Sequence, residues 1–123
     1  MTANDPTRTA MRMLLRSIDA GDWTVLEALF HPQVEYEVSG NLPLRGRDSV
    51  LNYYRNVRPV RRGEHLVEAM VVDGDTGICW GRFNATMKDG LETSILFADV
   101  MTFADRKIRK RRVYFCEPKA AGQ

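Results

Sequence analysis

Asp99 is the residue whose chemistry stands out most clearly, because it is a lone carboxylate inside the apolar stretch FADVMTF, residues 97–103. A buried carboxylate is costly unless a partner holds it. In an apolar pocket it would be neutral and donate a hydrogen bond, whereas beside an arginine it would stay ionised. Asp99 is therefore a candidate acid/base group, and a purely structural ion pair is the competing interpretation.

Two more residues of catalytic type lie in segments that read as strands. His65 opens the stretch HLVEAMVV and, by strand alternation, shares a face with Val67, Ala69 and Val71. Imidazole changes charge near neutral pH, so His65 is a candidate acid/base group, with an idle position at a pocket rim as the alternative. Arg82 is the third candidate, as a cation beside Asp99.

The turn Asp89-Gly90 predicts how two strands pair. A two-residue loop there places Trp80 opposite Asp99 and turns Arg82 and Asn84 onto the same face. Arg82 is then diagonal to Asp99 and within reach of it. The register predicts one binding surface made of a carboxylate, a guanidinium, an amide and an indole.

The last hairpin has two possible registers. A four-residue loop places Arg112 opposite Asp99. A loop one residue longer places Val113 there and turns Arg111, Val113 and Phe115 inward. The second register, with a bulge, is favoured because valine and phenylalanine facing inward make the better core.

Aromatic and apolar side chains complete the predicted pocket. Tyr36 and Tyr54 are amphipathic, and core packing is an equal alternative to substrate contact. Trp80 is either a stacking wall for a flat ligand or a core residue. The lining predicted from these patterns is Tyr36, Tyr54, Trp80, Asn84, Phe97, Met101, Arg111, Val113 and Phe115.

Composition sets the class of protein. The chain has 123 residues, a net charge of +2, 44% hydrophobic and 28% charged residues, which is typical of one globular domain. The balanced charge does not favour nucleic acid. The basic run RKIRKRR, residues 106–112, is interpreted as a solvated strand, with a phosphate-binding patch as the alternative.

The cellular location of the protein and its need for cofactors are predicted from sequence signals that are not found. Cys79 and Cys116 have no metal-ligand spacing and are expected to be reduced, although a disulfide is an open alternative. No apolar run approaches the roughly 20 residues that span a membrane, and the first residues do not form a signal peptide. We expect a cytoplasmic protein with no metal and no cofactor.

The elements follow from caps and periodicity. Asp5 and Pro6 begin a first helix that Gly21 ends, and Asp22 caps a second that runs to His31-Pro32. A strand at 34–39, a loop at 40–46 and a third helix capped by Asp48 come next. The third helix carries Val50, Tyr54 and Val57 on one apolar stripe and ends at Arg58-Pro59. Four long strands in a meander complete an α+β domain over residues 1–123, with a core at about 7–116 and a flexible tail at 117–123.

Both faces of the strand that carries Asp99 are apolar, so both should be covered. Helices would cover one face. A second copy of the chain is the simplest cover for the other, which predicts a homodimer through the outer face of the sheet.

Three stretches together resemble the SnoaL-like branch of the nuclear-transport-factor-2-like superfamily. They are LLRSIDAGDWTVLEALFHPQVEYEV, LPLRGRDSVLNYYRNV and FADVMTF…KIRKRRVYF, and the likeness covers residues 8–116. It implies a cone-shaped barrel, a strongly curved, mixed, mostly antiparallel sheet wrapped around three N-terminal helices, with a deep apolar pocket. Members are often dimers and include polyketide cyclases, ketosteroid isomerases, limonene-epoxide hydrolases, dehydratases and non-catalytic binding domains, so the fold alone does not give the function.

The match to ketosteroid isomerases is partial. Asp99 falls where those enzymes keep a protonated aspartic acid that binds the substrate oxyanion, and Tyr54 falls at a supporting pocket tyrosine. Their oxyanion tyrosine corresponds to Leu14 and their general base to Val38. The resemblance therefore argues against steroid isomerase activity, and it adds Leu14 and Val38 to the predicted lining.

Two other members of the superfamily bear on Asp99. The Asp-Arg-Asp set of limonene-epoxide hydrolases would need an arginine at Trp80 and acids at Arg82 and Val113, so that activity is not expected. Polyketide cyclases use a pocket aspartate as general acid/base in an aldol ring closure, and Asp99 is its counterpart by environment.

Two functions follow from these observations. The first is a cofactor-free enzyme of the cyclase, isomerase, dehydratase or hydrolase type, with Asp99, His65 and Arg82 as catalytic groups. Its substrate would be a small apolar molecule with a carbonyl or acid group. The second is a non-catalytic dimeric domain that binds a small apolar acid. Neither nucleic acid nor a membrane is expected as a partner.

Overall fold

The computed structural model describes residues 5–116, so the predicted tail at 117–123 lies outside the described residues. The helices are α1 (Pro6–Ala20), α2 (Trp23–Leu29) and α3 (Arg47–Asn52), and α3 continues as a π-helical turn (Tyr53–Val57). The strands are β1 (Phe30–Val38), β2 (Leu44–Arg45), β3 (Val60–Asp73), β4 (Thr76–Met87), β5 (Glu92–Ala104) and β6 (Lys107–Cys116).

Helix α1 begins and ends where its sequence predicts. The Asp5 carboxylate accepts a hydrogen bond from the Thr7 N–H at 2.8 Å, and Pro6 occupies the first turn. Gly21 closes the helix in the left-handed conformation, with φ 69°. The apolar stripe of α1 is buried against the sheet and includes Leu14, which is fully inaccessible to solvent.

The chain between α2 and α3 differs from the prediction. Asp22 caps α2 as expected, accepting from the Val25 N–H at 3.2 Å. However, α2 ends at Leu29, and Phe30 is already the first residue of β1. The predicted loop at 40–46 contains the short strand β2, which pairs with β1. Two residues of strand are too short to give an alternation pattern in the sequence.

The six strands form one open sheet in the order β2-β1-β6-β5-β4-β3. Strands β1 and β6 are parallel, and the other neighbours are antiparallel. The sheet is therefore mixed and mostly antiparallel, as predicted, with two free edges rather than a closed ring. One buried core lies between the three helices and the inner face of the sheet.

The predicted register between β4 and β5 is wrong by one residue. Cys79, not Trp80, lies opposite Asp99, and Arg82 lies opposite Leu96. A one-residue shift moves every side chain to the other face. Trp80 and Arg82 consequently point away from the helices and are exposed.

The cause of this shift is the hairpin loop. Met87 donates its N–H to the carbonyl of Leu91 at 2.8 Å, so the loop holds three residues rather than two. Gly90 has φ 92°, the left-handed residue that a three-residue hairpin requires. Asp89 stabilises the loop by accepting from the Leu91 N–H at 3.0 Å.

The favoured register of the last hairpin is confirmed. Asp99 lies opposite Val113, and Phe97 lies opposite Phe115. The extra residue is a bulge within β6, between the pairs Thr102–Lys110 and Phe103–Ile108.

A second bulge changes the face assignment along β3. Val67 pairs with Gly81, but the next pair is Ala69 with Trp80. Ala69 and Val71 therefore turn outward, and the prediction that they share a face with His65 is wrong. Gly81 permits the bulge, because a Cβ at this position would collide with the backbone of β3.

The π-helical turn alters the predicted stripe of the third helix. Val50 and Tyr54 are buried as expected, but Val57 is 57% exposed. The Arg58 N–H donates to the carbonyl of Tyr53, five residues back, at 2.8 Å. This wider turn rotates Val57 out of the core and brings Arg58 toward it.

Candidate functional site

A partly open cavity of about 240 Å³ lies between the helices and the inner face of the sheet. Its wall is largely aromatic and aliphatic, and its ionisable side chains are two arginines, one histidine and three tyrosines. The lining residues are Ile18, Tyr36, Val38, Tyr53, Tyr54, Arg58, Pro59, Val60, His65, Phe83, Met87, Thr93, Ile95, Arg111 and Phe115. A small apolar cavity with a few convergent polar groups is the usual form of a ligand site.

Asp99 does not line this cavity, because it is sealed against Arg111. The guanidinium of Arg111 donates hydrogen bonds to the Asp99 carboxylate through two of its nitrogens. Nη2 lies 2.7 Å from Oδ2, and Nε lies 3.0 Å from the same oxygen. Asp99 is completely buried and Arg111 is 2% exposed. Burial is the largest single influence and lowers the pKa of Arg111, but the Asp99 carboxylate, Tyr54 and Tyr36 together outweigh it, so the pKa of Arg111 lies well above its usual value.

The thiol of Cys79 lies in the same buried layer, opposite Asp99. Burial, reinforced by the Asp99 charge, raises the pKa of Cys79 to about 12. The thiol is therefore protonated at neutral pH and is not a nucleophile. Both Cys79 and Cys116 are free, as expected.

Arg111 links the ion pair to a cluster of tyrosines in the cavity wall. Its Nη1 donates to the hydroxyl of Tyr54, and its guanidinium lies 5.1 Å from the centre of the Tyr36 ring. Since Tyr54 accepts this bond, its own proton is available to an acceptor. Burial, reinforced by Tyr54, raises the pKa of Tyr36 well above its usual value, so Tyr36 is also a neutral donor.

His65 lies in the wall and is held by Asp19, near the end of α1. The Asp19 carboxylate faces Nδ1 of the ring at 2.7 Å and accepts the backbone N–H of His65 at 2.8 Å. The ring packs between Phe83 and Phe97, with centroid distances of 4.4 and 5.2 Å. The position and orientation of the imidazole are thus fixed by two hydrogen bonds and two aromatic contacts.

This arrangement leaves Nε2 of His65 as a proton acceptor. Nδ1 faces the Asp19 carboxylate and donates its proton to it, and no residue within 5–116 bonds Nε2. Burial lowers the pKa of His65 despite the opposing effect of Asp19, and the charges of Arg111 and Arg58 add to the lowering. The imidazole is neutral at pH 7, which is the state that a general base needs.

The predicted site residues divide into three groups. Those that line the cavity are Tyr36, Val38, Tyr54, His65, Arg111 and Phe115. Those buried in the surrounding core are Leu14, Phe97, Asp99, Met101 and Val113. Those on the outer face are Trp80, Arg82 and Asn84, where Ser94 accepts from Arg82 at 3.1 Å and donates to Asn84 at 2.7 Å.

Sequence reasoning missed two charged residues of the site. Asp19 follows Leu15 by one helical turn, so it continues the buried stripe of α1. A carboxylate in the last turn of a helix opposes the helix dipole, and this misfit was a usable signal. In the sequence Arg58 marks only the end of the third helix, and the direction of its side chain depends on the π-helical turn, which has no sequence pattern.

Residues 5–116 contain neither a helix of the membrane-spanning type nor a cluster of metal ligands. Within this range no helix combines the length and apolar character that crossing a bilayer requires. The same residues contain no group of three or more His, Cys, Asp or Glu side chains placed to hold a metal ion.

A sequence model of the SnoaL-like domain matches residues 11–111. The chain belongs to the SnoaL-like family. The resemblance found in the sequence is therefore confirmed, and with it the α+β fold of the nuclear-transport-factor-2-like type. No curated protein matches the sequence.

Solved structures similar to this chain are described as proteins of several different activities. A LEH-like epoxide hydrolase from M. tuberculosis superposes with a TM-score of 0.82 at 18% identity, covering 90% of this chain and 83% of that one. A proposed ketosteroid isomerase from Kribbella flavida gives 0.81 at 18%, covering 97% and 84%. A proposed SnoaL-like polyketide cyclase from Jannaschia sp. CCS1 gives 0.79 at 16%, covering 94% and 88%. At these identities the SnoaL-like fold is shared, and the activity has to be argued from the site.

Proposed function

We propose that this SnoaL-like protein is a cofactor-free acid/base enzyme of the cyclase, isomerase, dehydratase or hydrolase type. Its substrate is a small, largely apolar molecule with a carbonyl or acid group. The observation that carries the proposal is the Asp19–His65 pair, which presents an oriented, neutral imidazole in the wall of a largely apolar cavity.

The proposed chemistry divides the cavity between a base and an oxyanion site. His65 Nε2 takes a proton from the substrate or from a water molecule, and Asp19 stabilises the imidazolium that forms. Charge that develops on the substrate oxygen is stabilised by the Tyr54 hydroxyl and by Arg111. The rigid ion pair with Asp99 fixes Arg111 before the substrate arrives, so little reorganisation is needed.

The proposal changes the roles assigned from the sequence. Proton transfer moves from Asp99 to His65, because Asp99 lies outside the lining and both of its oxygens accept from Arg111. Asp99 becomes a positioning residue. Arg82 has no part in the reaction, because it lies on the outer face of the sheet.

Proton abstraction is testable without the natural substrate. Wild-type protein in D₂O is incubated with 2-tetralone, phenylacetone and phenylpyruvate, and loss of the α-proton signals is followed by ¹H NMR. We expect exchange above the buffer rate, reduced about 10²- to 10⁴-fold by His65→Gln. Asp19→Asn should cause a similar loss, since the amide donates to Nδ1 and leaves the proton on Nε2.

The pH profile and a second histidine give the controls. Because the pKa of His65 is lowered from about 6.5, exchange should rise with pH below this value and be level through neutral pH. His31→Gln, a half-buried residue of β1 that does not line the cavity, should leave exchange unchanged. Exchange that survives His65→Gln would refute the assignment of the base.

The alternative function is a non-catalytic domain that binds a small apolar acid. It is favoured by the absence of any carboxylate among the lining residues, since many acid/base sites use one. Tight binding of an aromatic acid together with no exchange of any of the three carbon acids would support this alternative.

A further inference from the structure

Arg58 is a second arginine in the cavity wall, and its surroundings differ from those of Arg111. Its guanidinium carbon lies 5.5 Å from the centre of the Tyr54 ring and 5.4 Å from that of Phe83. Within residues 5–116 its side chain forms neither a salt bridge nor a hydrogen bond. Aromatic faces hold a guanidinium in place while its N–H groups stay free to donate.

The charge balance of the cavity depends on this residue. Arg111 is neutralised by Asp99 directly beneath it. His65 is neutral at pH 7, and no aspartate or glutamate lines the cavity. The Asp19 carboxylate is bonded to His65 and is not among the lining residues, so Arg58 is the one charged group of the described wall without a bonded counter-ion.

Such a charge in an apolar cavity favours an anionic ligand. A partly desolvated arginine binds a carboxylate strongly, because two parallel N–H···O bonds match its planar fork. The tyrosines around Arg58 are neutral donors, and burial is the main reason that the pKa of Tyr53 is raised. The rest of the wall is apolar and suits a flat hydrocarbon framework.

We propose that Arg58 is the carboxylate-binding residue of the cavity, and that the ligand is a flat, largely apolar monocarboxylate whose framework extends toward His65. This inference rests on the proposed function and narrows its substrate class. The two arginines then have separate roles. Arg58 binds the carboxylate that the ligand carries before any reaction, and Arg111 stabilises the negative charge that develops on the substrate oxygen during proton transfer.

A matched pair of probes tests the proposal. Naphthalene-2-carboxylate and naphthalene-2-carboxamide have nearly the same shape and differ in charge. Their affinities are measured by isothermal titration calorimetry at pH 7. We expect the wild type to bind the carboxylate at least 10-fold more tightly than the amide.

Substitutions then locate the charge that is responsible. Arg58→Gln should weaken carboxylate binding about 10- to 100-fold and leave amide binding unchanged, which also shows that the variant is folded. Arg58→Lys should give an intermediate preference, because a point charge replaces the fork. The control is Arg55→Gln, an exposed arginine of the same π-helical turn that does not line the cavity.

The outcomes separate this proposal from the one on which it rests. Equal affinity for the two probes, or a preference that survives Arg58→Gln, would overturn the role of Arg58 and leave the proton-exchange test standing. Binding of neither probe would overturn both, since the cavity would then not be a site for small apolar ligands.

Discussion

The fold uses its two inward-facing acid/base candidates, Asp99 and His65, in opposite ways. Asp99 gives both carboxylate oxygens to Arg111 and has no route to the cavity wall. His65 uses only Nδ1 in its bond to Asp19, so Nε2 is left for chemistry. All the hydrogen-bonding atoms of Asp99 are thus occupied within the protein, which suits a structural role. His65 retains one free ring nitrogen, which suits a role in proton transfer.

We therefore expect the Asp99–Arg111 ion pair to contribute to the stability of the fold rather than to proton transfer. Asp99→Leu leaves the buried guanidinium without a counter-ion, and we expect a loss of about 3–5 kcal/mol in the free energy of unfolding. The double variant Asp99→Leu/Arg111→Met replaces both charges by apolar groups and should recover most of that loss. Urea unfolding measures all three proteins.

An exposed ion pair provides the control for this cycle. Arg112 donates to Glu37 at 3.2 Å near the surface, and Glu37→Gln should lower the free energy of unfolding far less than Asp99→Leu does. If Asp99→Leu were no less stable than the double variant, the ion pair would not be a coupled unit.

At the scale of elements, sequence reasoning succeeded where one local signal decides the outcome. The ends of α1 depend on Asp5, Pro6 and Gly21, and each residue acts within its own turn. The register of β5 against β6 followed from which side chains make a better core, and that argument needed only burial.

Sequence reasoning failed where the insertion of one residue turns all the side chains of a strand to the opposite face of the sheet. The pair Asp89-Gly90 is compatible with a loop of two or three residues, and the choice decides whether Arg82 faces the helices or the solvent. The bulge in β3 and the π-helical turn are also single-residue insertions, with no periodicity of their own. The fold class and six of the fifteen residues of the cavity wall were thus predictable, His65 and Arg111 among them, whereas Asp19 and Arg58 were not.

The β3 bulge makes a specific prediction for Gly81. A Cβ at Gly81 would meet the carbonyl and backbone of Leu66, which cannot move without breaking the pairing of β3 with β4. A Cβ at Gly77 would meet the end of the Met11 side chain, which can rotate away. We expect Gly81→Ala to destabilise the protein by about 3 kcal/mol or more and Gly77→Ala by about 1–3 kcal/mol, measured by urea unfolding. A smaller effect at Gly81 than at Gly77 would contradict the bulge.

At the scale of the whole molecule, the outer face of the sheet carries exposed apolar side chains that neither the core nor the cavity accounts for. Side chains of β3 to β6 that point away from the helices include large apolar groups that are 39–45% exposed, namely Leu66, Ile78, Trp80, Leu96 and Tyr114. A depression of about 310 Å³ lies over Trp80, Leu96 and Tyr114. Contiguous apolar surface of this kind favours a protein partner.

We propose that the partner is a second copy of the chain. On this face Glu68 lies on β3 and Lys110 lies on β6, three strands away. A two-fold axis near the middle of the face would bring Glu68 of each chain toward Lys110 of the other. The centre of such a contact would be Trp80, a residue type that dominates binding energy in interfaces. The cavity opens on the opposite side of the sheet, so pairing would leave access to His65 and Arg58 unchanged.

Sedimentation equilibrium tests this arrangement. The wild type should have twice the 14.1 kDa mass of the chain, and Trp80→Glu should give the monomer mass, because it places a charge at the centre of the contact. Leu42→Glu is the control, since Leu42 is 90% exposed in the loop before β2 and lies off the outer face. The probe affinities of the cavity should be equal in dimer and monomer, which ties the ligand site to one chain. A wild type that is monomeric, or a Trp80→Glu variant that still dimerises, would rule out this face as the interface.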